Sequence, residues 1–130
     1  MNTIKVLVAL GMTVAAPMAS AQNVVDLTGE FRSCIAGTDS QIDTSNCMSQ
    51  ELKRQDALVD AELRMARENA RPEIATRMDQ VQAAWLNFRK QECQTKQAAV
   101  VGSGATVEYL ECMIHHAVLR KSQLANYWSL

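Results

Sequence analysis

From Ser45 to Ala70 the chain runs without a glycine or proline, and Met48, Leu52, Gln55, Val59, Leu63, Ala66 and Ala70 recur along it at spacings of three or four. Such spacing collects side chains on one stripe of an α-helix. Glu51, Lys53, Arg54, Asp56, Asp60, Glu62, Arg64, Arg67 and Glu68 lie between them, which predicts a charged solvent face. Ser45 or Asn46 can accept a bond from the free amides of the first turn, so the helix is expected to open there.

Pro72 ends that helix or opens the next, because its missing N–H and fixed φ cost nothing at a first helical position. Ile74, Met78, Val81, Trp85 and Phe88 follow at helical steps and read as a second apolar stripe reaching to about Lys96 or Ala99. Trp85 and Phe88 are in register with that stripe and are expected to pack in the core. Arg89 and Cys93 fall at its edge. Val100–Val101–Gly102–Ser103–Gly104 is a turn, with Ser103 or Thr106 available as a cap. A third helix then carries Val107, Leu110, Ile114, Val118 and Leu124, with Tyr127–Trp128 near its end. Residues 22–45 are rich in turn formers and have few large hydrophobes. They read as an irregular N-terminal arm with at most one short helical turn.

The fold class is therefore all-α: a small antiparallel three-helix bundle with an N-terminal arm and two disulfides. Cys34, Cys47, Cys93 and Cys112 are the four cysteines. An even number in an exported chain reads as paired, and the wide spacing lacks the close pairs of a zinc site. Four cysteines allow three pairings. The end of the second helix must approach the start of the third, which favours Cys93–Cys112 and leaves Cys34–Cys47. The pairing of Cys47 with Cys93 and Cys34 with Cys112 stays open.

Export is read from the N-terminus. Lys5, an uncharged and mostly apolar run from Val6 to Ala19, and Met18–Ala19–Ser20–Ala21 have the form of a cleaved signal peptide. Residues 1–21 are thus expected to be removed, leaving one domain over 22–130 that is periplasmic or secreted. The run is too short for stable membrane insertion. A net charge of −1 gives no long-range attraction to nucleic acid.

No metalloprotease, phosphate-loop or nucleophile-elbow motif is present. His115 and His116 are adjacent and point about 100° apart on a helix, so they do not share a ligand. No catalytic, cofactor or metal residues are assigned. Arg89 and Arg120 are expected to lie across apolar edges and bond carbonyls or a carboxylate.

Asn46–Cys47 with the long helix after it, Trp85-x-x-Phe88–Arg89-x-x-x-Cys93, the glycine turn, and Cys112 with Arg120 and Leu124 resemble the lysozyme-inhibitor LprI-like N-terminal domain family. The resemblance runs from Cys34 to Leu124. It departs at Lys90–Gln91, where the family often has an acidic residue, and at His116, where threonine is common. It implies a small exported helical domain, not an enzyme, that binds lysozyme or another envelope protein. The alternative is a structural or accessory domain of the envelope with no enzyme target. Trp85, Phe88, Arg89 and Arg120 are the structural or partner-contact candidates.

Overall fold

The computed structural model describes residues 26–128. The expected signal peptide and its cleavage site lie outside them. Four helices follow in order: α1 (Gly29–Ala36), α2 (Gln41–Glu68), α3 (Pro72–Ala99) and α4 (Ala105–Ala125), with no strand among the described residues. The count corrects the three-helix expectation. Three long helices build the bundle, and a short fourth lies against α2 where an irregular arm was expected.

The residues that look like loop punctuation are helix caps. The Thr28 hydroxyl accepts the Phe31 amide at 3.2 Å and opens α1. The Ser40 hydroxyl accepts the Asp43 amide at 3.1 Å and donates to Asp43 Oδ2 at 2.7 Å, so α2 starts before Ser45. Asp43 also sits well at the positive end of the helix. Pro72 occupies the first turn of α3, where its ring fits. Gly102 turns the chain toward α4 with φ of +92°, a left-handed conformation that favours glycine. Neither Ser103 nor Thr106 caps α4, whose N-cap is Gly104.

Helix α4 packs most extensively on α2 and next on α3, while α2 and α3 meet least. Met48 packs near Leu110 and Ile114, and Val59 near Ala117 and Leu124, so α2 and α4 run in the same direction. The Trp128 indole extends this register by donating to the Ala66 carbonyl at 2.9 Å. Helix α3 runs against both, as the Cys93–Cys112 bridge and the Asp56–Arg89 pair require.

The cysteines join as Cys34–Cys47 and Cys93–Cys112, with Cα separations of 5.8 and 5.5 Å. The first ties α1 to α2 and the second ties α3 to α4. Closing loops of this length stabilises by about 3 kcal/mol each through the unfolded chain, a large share for so small a core.

Two expectations about faces are corrected. Glu51, assigned to the solvent face, is completely buried. The segment before α1 folds back over α2, and Thr28 from it joins Gln55 and Arg54 of α2 in supplying the donors that make this burial tolerable. Val81 and Phe88, assigned to the core stripe, are 50% and 54% exposed. The buried ridge of α3 is instead Met78, Gln82, Arg89 and Cys93, with Trp85 half-buried beside it. A mixed ridge is stable here because its polar members are bonded.

Candidate binding site

Trp85 lies at the meeting of α3 with α4, packed against the cluster of Val59, Ala117 and Leu124. The Arg89 guanidinium carbon stands 4.7 Å from its ring centroid, and that of Arg120 stands 5.7 Å away. Both arginines are almost fully buried. The negative face of an indole ring attracts cations, more strongly where water is excluded.

The two cations are held differently. Arg89 donates to both carboxylate oxygens of Asp56, at 2.7 and 3.2 Å, while its Nε has no partner. Arg120 donates through Nε to Gln82 Oε1 at 3.0 Å and through Nη1 to Gln123 Oε1 at 3.4 Å. No carboxylate pairs with it among the described residues. Burial pulls its pKa below the ordinary arginine value, with Tyr127 acting in the opposite sense.

This asymmetry makes a prediction. Asp56 is 41% exposed, whereas the Arg89 side chain is 5% exposed. Asp56→Ala leaves a buried cation without its counter-ion and should cost about 2 kcal/mol, below the full penalty of a wholly buried pair because Asp56 meets water. Arg89→Met keeps the apolar stem, removes the charge, and should cost less. Urea unfolding of the two variants checks the order, and equal losses contradict it.

A second feature lies along the middle of α4, where it meets α1 and α2. An open cavity of about 230 Å³ is lined by Leu27 just before α1, Phe31 of α1, Met48 of α2, and Ile114 and Val118 of α4. Glu111 and His115 complete its lining, and both are exposed. Apolar walls with a few polar groups suit the capture of an apolar group whose polar end stays wet. Phe88 lies elsewhere, on the α3 surface, edge-on to His116 at 5.5 Å between centroids. Trp85, Arg89 and Arg120 are thus brought together, and Phe88 stands apart from them.

This cavity is not apparent from the sequence. Leu27 and Phe31 are two of the few large hydrophobes in residues 22–45, and the fold-back that brings them to α4 depends on the distant contact between Thr28 and Glu51. The one signal was Gln55, a polar residue within an apolar stripe. Its side-chain amide donates to the Asp26 carbonyl at 3.0 Å and to Glu51 Oε1 at 2.7 Å, helping to seat the segment before α1.

No helix among the described residues is long and apolar enough to cross a membrane. The family model described as "Lysozyme inhibitor LprI" matches residues 34–124. That span includes both disulfides and the Trp85 cluster, but stops short of Leu27 and Phe31. No curated protein and no solved structure matches the chain significantly.

Proposed function

The chain belongs to the lysozyme inhibitor LprI family, and from that membership we propose that it is an exported binding protein that inhibits lysozyme by occluding it. Residues 1–21 are its signal peptide, and residues 22–130 act in the periplasm or outside the cell. The family match is the observation that carries this reading. Two disulfides suit an oxidising compartment. The action is binding rather than catalysis, since an inhibitor needs only a rigid surface that fits its target. Phe88 and Val81, seven residues apart on α3, leave exposed apolar side chains on one face of that helix, as docking surfaces commonly do.

The test is a lysozyme activity assay with the oxidised, exported protein, paired with a direct binding measurement. Dose-dependent inhibition with a one-to-one complex is the expected result. Absence of both across several classes of lysozyme removes the inhibitor reading. Binding without inhibition favours an accessory role in the envelope.

A further inference from the structure

Cys112 and His116 stand one turn apart on α4, and Cys93 approaches them from α3. Both sulfurs and an imidazole nitrogen lie within 4.8 Å of one another. In the oxidised protein the sulfurs are bonded to each other. We propose that the reduced chain holds a zinc ion between Cys93, Cys112 and His116, so that α3 and α4 are joined either by a disulfide or by a metal dithiolate.

The donor set is the one zinc favours. Two thiolates and an imidazole match a borderline-soft ion with no geometric demand of its own. Zinc bonds of about 2.3 Å to sulfur and about 2.0 Å to nitrogen place neighbouring tetrahedral ligand atoms roughly 3.5–3.8 Å apart. The imidazole nitrogen, within 4.8 Å of both sulfurs, reaches that distance by a shift of about 1 Å. The sulfurs need only separate to it by side-chain rotation, with the Cα atoms left 5.5 Å apart. The two packed helices fix that separation.

The surroundings also fit. Cys93 is completely buried and Cys112 nearly so, whereas His116 is only partly covered. The fourth position is thus available to water from the His116 side.

The interchange balances. A dithiol reductant passes two electrons to the Cys93–Cys112 bond and is left as a disulfide. Its two protons end on the cysteine sulfurs. Zinc then displaces both thiol protons to the medium as the two metal–sulfur bonds form.

The test uses the exported chain with Cys34 and Cys47 both changed to serine, so that one cysteine pair remains. It is reduced with a phosphine, which takes oxygen from water as it is oxidised, and titrated with Co²⁺ alone. Helicity is followed alongside. A thiolate-to-cobalt absorption band that saturates at one equivalent and is abolished by zinc is expected. His116→Ala should weaken cobalt binding at least tenfold, His115→Ala should leave it unchanged, and the oxidised chain should show no band. Saturation at other than one equivalent, or equal binding by the His116→Ala chain and its parent, overturns the proposal. So does binding that two unfolded thiols would give, with no helicity regained and no dependence on His116.

Discussion

Trp85→Ala is expected to lower the unfolding free energy by about 3 kcal/mol, the low end of the range for removing a large ring from a core, because Trp85 is half-buried. The loss has two parts. The first is the apolar area the indole covers beside Val59, Ala117 and Leu124. The second is electrostatic, because the ring lies against both the Arg89 and Arg120 guanidinium groups. Without it, two like charges border a cavity, and only Arg89 has an acidic partner. Trp85→Phe should recover a large part of the loss, since a smaller ring still covers area and still presents a π-face. Thermal unfolding should show a fall of more than 10 °C for the alanine variant, at about 4–8 °C per kcal/mol in a domain of this size. A fall of only a few degrees would show that the arginines do not depend on the ring.

Glu51 carries the second large effect. Its carboxylate accepts the Thr28 amide at 3.0 Å, the Thr28 hydroxyl, Gln55 Nε2 at 2.7 Å and Arg54 Nε at 3.0 Å, and the residue is wholly buried. Glu51→Ala strands these donors and frees the segment that bears α1. A cost of about 3–4 kcal/mol follows from unpaired buried polar groups. Burial by itself would raise the Glu51 pKa. The bonds from Gln55, Thr28 and Arg54 outweigh it and hold the carboxyl below its ordinary value.

As acid is added, the unfolded chain therefore takes up this proton before the folded chain does. The stabilisation is whole above the unfolded-state value, roughly pH 4.3. It is lost as the pH falls through the lower folded-state value. Urea midpoints measured from pH 7 to pH 2 should show the wild type and Glu51→Ala converging in that acid range. Parallel curves would contradict the role assigned to this carboxylate.

The long helices were legible because their signals are local. The uninterrupted stripe of α2, Pro72 at the first turn of α3, and the glycine turn before α4 each act within a few residues. The disulfide pairing could be favoured, though not fixed, once the hairpin joining α3 to α4 was in view. Helix α1 was hidden because two turns are too short to develop a stripe, and Thr28 and Ser40 look like loop formers until they cap. Glu51 was hidden because its donors at Thr28 are 23 residues away. The ridge of α3 was misread for a related reason. Apolar spacing favours Val81 and Phe88, whereas the register actually follows Arg89 reaching Asp56 and Arg120 reaching Gln82. Of the candidate site, Trp85, Arg89 and Arg120 stand out in sequence one by one, whereas their stacking and the cavity do not.

Because α2 and α3 rest chiefly on α4 rather than on each other, the scaffold's keystone is a helix that follows the other three described helices in chain order. Until it is in place, the preceding helices lack the surface against which most of their apolar atoms are sheltered. A chain with this contact order shelters most of its apolar surface in one late step, when α4 docks between α2 and α3.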